Sequence, residues 1–371
     1  MNTQALESAS ISLAEFRERS GFAGGGESQK SRKRDVTDGL KTVFWAFSLQ
    51  ARTGLKTAYA MERFFEPAAF GQAASGDRFH RNKWPRYLAG RHEPKAVLDA
   101  VEAKYPGANA CLTSPLWAAL TGRPLTRREL EALVLRLDIG IQALVRRRGT
   151  APRPARFPGM SMDRDLAEAI ERRASLDALA ATVIMLRIAN VESEPAAAFQ
   201  WGRHLLRLMV MLGPTLQVGG IAQPLLDLIG ERVLPLASHD DLQPGFPAGT
   251  YLEIVRLYVE ALRRIKGEPP FAMTEALRHK LGQRILNRRY GHDYFYAFNP
   301  IRADTHTASA AASEQLFAAP DVWLSAWGFN MLSTGGHRDA PPDVVRTGED
   351  LWAMRDRLPS APNSCRGLSA D

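Results

Sequence analysis

The stretch from residue 82 to residue 94 reads N-K-W-P-R-Y-L-A-G-R-H-E-P, and it combines an aromatic anchor, several cations and two helix breakers. In a helix, Trp84 and Tyr87 stand at positions i and i+3, so they share one face. Gly90 can then close the helix in the left-handed conformation, and Pro94 can open the next one. The stretch therefore predicts a short helix, a turn and a second helix, with cations on the outer sides.

The sequence before this stretch has the periodicity of amphipathic helices. Leu40, Val43 and Phe47 recur at positions i, i+3 and i+7 behind Asp38, which can cap a helix. A second helix is predicted over about 55–65. Two helices are therefore expected before the Trp84 helix, and one is expected after it.

In this order of helices, residues 38–105 resemble the helix-turn-helix domain of the lambda-repressor-like (XRE) regulators. Trp84, Gly90 and Pro94 stand in the order and approximate spacing of that family's pattern. The resemblance implies that the Trp84 helix enters the major groove of DNA, and that the protein forms a dimer that binds two half-sites. The residues that it implies in DNA contact are Arg81, Asn82, Lys83, Arg86 and Arg91.

These residue types differ in what they can recognise. Arginine and asparagine can pair in bidentate fashion with guanine and adenine, whereas lysine is better suited to phosphate. Two other interpretations of the same stretch stay open. Trp84 and Tyr87 can simply anchor an arginine-rich helix in a core, or the cations can bind another polyanion, RNA included.

Charge is unevenly distributed along the chain of 371 residues, whose net charge is +8. Residues 1–157 contain 26 lysines and arginines against 15 aspartates and glutamates, whereas residues 158–371 contain 22 against 25. A local excess of positive charge attracts polyanions, and nucleic acid is the commonest of these. The expected partner is therefore nucleic acid, with DNA favoured over RNA; a basic but otherwise inert surface is the alternative.

Composition excludes several classes of protein. Hydrophobic residues make up 45% and charged residues 24%, which is typical of a folded protein and not of a disordered one. Apolar passages such as Leu208–Leu212 fall far short of the roughly 18 residues of a membrane span. Cys111 and Cys365 cannot build a disulfide framework, and the N-terminus lacks the pattern of a secretion signal. A cytoplasmic protein without membrane partners is expected.

The expected fold is mainly α, with a helix-turn-helix-like N-terminal bundle and a larger all-helical C-terminal domain. Thr126 and Glu129 form a capping-box pattern at the start of one helix of the first domain. The predicted C-terminal helices are Asp163–Asn190, Glu194–Leu212, Pro224–Leu234, Tyr251–Lys266 and Thr274–Arg289. The predicted regions are a flexible basic arm (1–36), a basic helical domain (37–148), an Arg/Pro linker (149–160), a helical domain (161–357) and a disordered tail (358–371).

Histidines beside acids suggest an alternative chemistry. His204 followed by His239-Asp240 has the order of ligands found in helical metal-dependent phosphohydrolases of the HD type, because a divalent metal accepts mixed imidazole and carboxylate ligands. A solvated loop is the plainer explanation of the His-Asp pair. No Walker loop, Rossmann fingerprint or Gly-x-Ser-x-Gly elbow is present in the sequence, and no cofactor is expected.

The sequence therefore favours a DNA-binding protein without enzymatic activity, in the manner of a bacterial transcription regulator or a component of a mobile element or antiphage system. A helical metal-dependent phosphohydrolase or toxin, acting through the C-terminal domain, is the first alternative. A helical protein-interaction scaffold is the second.

Overall fold

The fold is mainly α, as the sequence predicts. The computed structural model describes residues 3–22, 34–72, 78–80, 82–147, 164–239, 242–287, 289–298, 301–303 and 320–335. Within these ranges the strands form two antiparallel two-stranded sheets, β1 (Phe70–Gln72) with β2 (Arg78–His80) and β3 (Leu242–Pro244) with β4 (Ile301–Ala303). None of the described helices combines the length and apolar character needed to cross a bilayer.

The chain divides into two compact units, Met1–Ala237 and Ser238–Asp371. The helices of the first unit are α1 (Thr3–Ser10), α2 (Leu13–Arg19), α3 (Val36–Thr53), α4 (Ala58–Phe65), α5 (Trp84–Leu88), α6 (Leu98–Lys104), α7 (Leu116–Ala119), α8 (Arg127–Val134), α9 (Ile139–Arg147), α10 (Arg164–Glu171), α11 (Leu176–Val191), α12 (Pro195–Val218) and α13 (Ala222–Arg232). Among the described residues of the second unit, the helices are α14 (Tyr251–Lys266), α15 (Glu275–Leu286), α16 (His292–Ala297) and α17 (Pro320–Ser333).

The core of the first unit forms around α11 and α12. Every residue of α11 from Ala178 to Ala189 is buried, which is the pattern of a helix surrounded on all sides by protein. Ser175 begins this helix, because its side chain accepts a hydrogen bond from the backbone N–H of Ala178. Helices α7, α8, α10 and α12 pack against α11, whereas α1, α3 and α13 pack against α12.

This packing corrects the predicted boundary at 149–160. Helices α7 and α8 precede that segment and α11 follows it, yet they pack together in one unit, and the division falls between Ala237 and Ser238. Composition alone does not show whether a segment joins two domains or two helices of one core. Residues 148–163, with the predicted linker, and the predicted tail lie outside the described residues.

The predicted flexible arm (1–36) also differs from the structure. Helices α1 and α2 lie within it and pack against α12 and α13, with Ala9, Leu13 and Phe16 buried. Ser12 caps α2 in a capping box with Glu15, a local pattern in the sequence that indicates a helix start. The arm is therefore part of the core up to about Ser20; residues 23–33 lie outside the described residues.

The second unit is built on α14, whose buried residues lie on one stripe that includes Ile254, Tyr258 and Leu262. Helices α15 and α17 pack against α14, and α16 packs against α17. Gly328 permits that last contact, because a Cβ atom at this position would lie 2.6 Å from the carbonyl oxygen of Asp293.

Candidate nucleic-acid interface

Helix α5 is fixed by an aromatic cluster on its inner side. Trp84 is fully buried and stacks between Trp45, at a centroid distance of 5.6 Å, and Phe65, at 5.4 Å. Tyr87 meets Trp84 edge to face at 5.7 Å. Pro85 fits because it occupies the first turn, where its missing N–H has no intrahelical partner to lose. Trp84 and Tyr87 are therefore anchors in the core, as predicted for one face of this helix.

Gly90 ends α5 in the left-handed conformation, with φ of +69°. The backbone N–H of Arg91 donates to the carbonyl of Arg86 at 2.8 Å, which closes the last turn. A Cβ atom at position 90 would also lie 3.1 Å from the carbonyl oxygen of Gly39, so glycine is required for space as well as for conformation. The buried Pro94 precedes a 3-10 turn and then α6, so the predicted order of helix, glycine, proline and helix is present.

Lys83 lies at the start of α5 and faces carboxylates. Its Nζ forms a 3.0 Å ion pair with Glu66, and its backbone N–H donates to Glu62 at 3.1 Å. The two carboxylates also act on Tyr87, whose pKa is raised to about 12 by burial and by Glu66 and Glu62, so the phenol stays neutral. The charge of Lys83 is therefore largely neutralised within the protein.

Arg86 and Arg91 are exposed, and none of the ion pairs among the described residues includes them. The Nη1 atom of Arg86 lies 3.1 Å from Nε2 of His92, and Nε of Arg91 donates to the backbone carbonyl of Arg19 at 2.6 Å. Asn82 is exposed too, with a positive φ of 49°, a conformation that asparagine tolerates better than most residues. Arg81, the remaining predicted contact, lies outside the described residues.

Arg34 extends this exposed side. Its Nη1 donates to the backbone carbonyl of Arg91 at 2.6 Å, and its guanidinium lies over the ring of Phe22, 5.5 Å from the centroid. Exposed arginines that, like these three, form no ion pair within the described ranges keep their charge for a polyanion. The outer α5 surface is the name used below for Arg34, Asn82, Arg86, Arg91 and His92.

The predicted metal ligand His204 belongs instead to a buried ionic cluster with Glu171 and Arg207. Arg207 donates through Nε to one oxygen of Glu171 at 2.6 Å and through Nη2 to the other at 2.9 Å, and Nδ1 of His204 bonds the first oxygen. Burial alone would raise the pKa of Glu171, but the charges of Arg207 and His204 lower it to about 2. A carboxylate held on both oxygens by arginine is a poor ligand for a cation.

The other two predicted ligands are His239 and Asp240. His239 lies in the second unit and pairs through its backbone with Leu242, and Asp240 lies outside the described residues. Within the described ranges, no group of three or more His, Cys, Asp or Glu side chains is arranged to hold a metal ion.

The sequence indicated the anchors of α5 but not the carboxylates that meet Lys83. Glu62 and Glu66 lie on α4 and on the chain just after it, 21 and 17 residues away, and no local pattern links them to Lys83. What the arrangement offers is a cationic surface on a helix whose inner side is buried in the core. No family model, curated protein or solved structure matches this chain.

Proposed function

We propose that this protein binds DNA through the outer α5 surface. The observation that carries the proposal is the contrast across one short helix, with Trp84 buried in the core and with Arg86 and Arg91 exposed and bonded to a histidine ring nitrogen and a backbone carbonyl. A side chain on a rigid base loses little conformational freedom when it binds, so such arginines are well placed to contact phosphates.

The distribution of charge supports this assignment. The first unit, Met1–Ala237, contains 33 lysines and arginines against 24 aspartates and glutamates, whereas the second contains 15 against 16. The outer α5 surface thus belongs to the unit with a net charge of +9, and a positive field increases the rate and strength of polyanion binding.

The length of α5 bears on how the DNA is contacted. Its five residues form little more than one turn, so it presents few positions along a groove. In the proposed complex, Arg34, Arg86 and Arg91 contact phosphates, and Asn82 is the residue able to pair with adenine. Affinity therefore depends more on salt than on base sequence.

The resemblance to XRE regulators supports a role in transcription or in a mobile element or antiphage system, with a dimer as the binding species.

The test is a fluorescence-anisotropy titration of the full chain with a labelled DNA duplex at two salt concentrations. Replacing Arg86 and Arg91 together by alanine should weaken binding at least tenfold and reduce the salt slope by about 2, because two phosphate contacts are lost. An RNA duplex of the same sequence shows whether the surface prefers DNA.

Arg284→Ala is the matched control, because Arg284 is an exposed arginine of the second unit. Its affinity and salt slope should equal those of the unchanged protein. The proposal fails if the wild type binds no duplex, or if the Arg86/Arg91 double variant binds as tightly as the Arg284 variant.

A further inference from the structure

A second arginine environment in the first unit lies between α11, α13 and the turn after α7. Arg187 on α11 is only 6% exposed, and its Nη2 donates to the carbonyl of Thr121 at 2.9 Å and to that of Arg232 at 3.4 Å. Its Nε atom is buried and has no hydrogen-bond partner in the described part of the chain. Arg187 is therefore a buried cation with an unsatisfied donor.

Arg232 brings a second cation close to Arg187. Its Nη1 contacts both carboxylate oxygens of Asp35, at 2.9 and 3.1 Å, and donates to the carbonyl of Leu120 at 3.0 Å. The guanidinium carbon lies 3.5 Å from where a Cβ atom of Gly122 would be, so the guanidinium packs on bare backbone. Burial and the charge of Arg232 both lower the pKa of Arg187.

The carboxylates nearby do not balance these cations. Asp35 pairs with Arg232, while Glu231 pairs with Arg17 at 2.7 Å and lies 3.7 Å from Nε of Arg232. Among the described residues, none of the ion pairs includes Arg187. The group therefore contains three arginines and two carboxylates.

A buried charge without a counter-charge is costly, and proteins ordinarily pair it. The same unit does so at Arg207, where Glu171 contacts the guanidinium through both oxygens. Arg187 differs because its acceptors are two backbone carbonyls, which carry no net charge. A bound anion with several oxygen atoms would compensate the charge, and the planar guanidinium matches the geometry of phosphate in particular.

We propose that the side chains of Arg187 and Arg232, beside the turn Leu120–Gly122, form a binding site for a phosphate-type oxyanion, either inorganic phosphate or the phosphate group of a phosphomonoester. Exposed Gly122 and the part-exposed carboxylate of Asp35 mark the solvent side of this site. The outer α5 surface contributes no residue to it, so this inference stands independently of DNA binding.

The experiment measures the melting temperature of the full chain in phosphate, in glycerol phosphate and in sodium chloride of the same ionic strength. A ligand that binds only the folded state raises the melting temperature with its concentration. We expect a saturable rise of roughly 5 °C at a hundredfold excess over Kd with at least one phosphate compound. The compound that acts at the lower concentration identifies the source of the phosphate group.

Arg187→Met is the decisive variant, because methionine fills similar space without charge. It should be at least as stable as the wild type without phosphate, and its melting temperature should not respond to either phosphate compound. Arg128→Met removes an exposed arginine of the same unit and should keep the full response.

The inference is overturned if the wild type responds to phosphate no more than to sodium chloride, or if Arg187→Met keeps the response. Should Arg187→Met fail to fold, Arg187→Lys retains the charge but not the planar donors, and we expect its phosphate Kd to rise at least tenfold. An unchanged Kd in that variant would equally refute the site. Arg86→Ala should leave the phosphate response intact whether or not it changes DNA binding.

Discussion

The outer α5 surface and the buried Glu171 cluster use arginine in opposite ways within one compact unit. Arg86 and Arg91 are exposed and bond a histidine ring nitrogen and a backbone carbonyl, so their charge acts on the solvent. Arg207 is buried, and its Nε and Nη2 atoms donate to Glu171, so its charge is balanced inside. The comparison teaches that the number of arginines says little about polyanion binding until the partner of each guanidinium is known.

The largest expected effect is the loss of stability on replacing Trp84, which anchors α5 in the core. Trp84→Ala should lower the free energy of unfolding by roughly 3–5 kcal/mol, because it removes a fully buried indole that stacks on two rings. Urea unfolding measures this loss. Trp84→Phe is the matched control: the indole Nε1 has no hydrogen-bond partner among the described residues, so phenylalanine should lose less than half as much. Equal losses would contradict the assignment of Trp84 to stacking.

The buried cluster is broken by Glu171→Gln. This variant should lose about 3 kcal/mol of unfolding free energy, at the lower end for a broken buried pair, because the amide oxygen still accepts one hydrogen bond from Arg207. Glu131→Gln breaks an exposed pair with Arg127 and should lose less than about 1 kcal/mol. If the two variants unfold at the same urea concentration, the charge of Glu171 is not what holds α10 to α12.

The pH dependence of the unfolding free energy tests whether the charge of Glu171 stabilises the buried cluster. The pKa of Glu171 is about 2 in the folded protein, far below the ordinary value of 4.5, and a lowered carboxyl pKa contributes stability that is complete above the unfolded value. That contribution, roughly 3 kcal/mol, is lost as the pH falls from about 4.5 towards 2. Urea midpoints of wild type and Glu171→Gln should therefore differ most at pH 6 and converge towards pH 3. A constant difference would assign the loss to packing.

Local patterns predicted much of the helical structure. The boundaries of α14 coincide with the predicted Tyr251–Lys266, and the capping box of Thr126 and Glu129 begins α8 as expected. The predicted helix Asp163–Asn190 is two helices, α10 and α11, because Ser175 caps a new start within a continuous apolar pattern. Helix caps and hydrophobic periodicity depend on residues that are close together in the sequence. They can therefore be recognised from the sequence alone.

Pairings over long sequence distances were not predictable in the same way. Arg207 lies 36 residues from Glu171 and Lys83 lies 17 residues from Glu66, so only the folded chain brings their charges together. Among the predicted DNA contacts, Asn82, Arg86 and Arg91 are accordingly exposed, whereas Lys83 is neutralised by Glu66. The error in the predicted domain boundary has the same cause, because local composition does not show that α8 packs against α11.

The smallest expected effect tests whether Lys83 can contribute to DNA binding once its ion pair is removed. Glu66→Gln removes the carboxylate that pairs with Lys83, so the ammonium should become available to phosphate and DNA should bind about threefold more tightly. Fluorescence anisotropy at low salt measures the change. Glu131→Gln is the control, because it alters the net charge equally and removes one of the two carboxylates that contact Arg127, the other being Glu192.

If both variants tighten DNA binding to the same extent, the whole charge of the protein governs affinity and the position of α5 has no special role. If only Glu66→Gln does so, the cations beside Trp84 act locally. A third variant, Glu66→Gln with Lys83→Ala, should then bind no more tightly than Lys83→Ala alone, because the carboxylate acts on DNA only through the lysine it neutralises. An increase that persists without Lys83 would mean that Glu66 repels the phosphates directly.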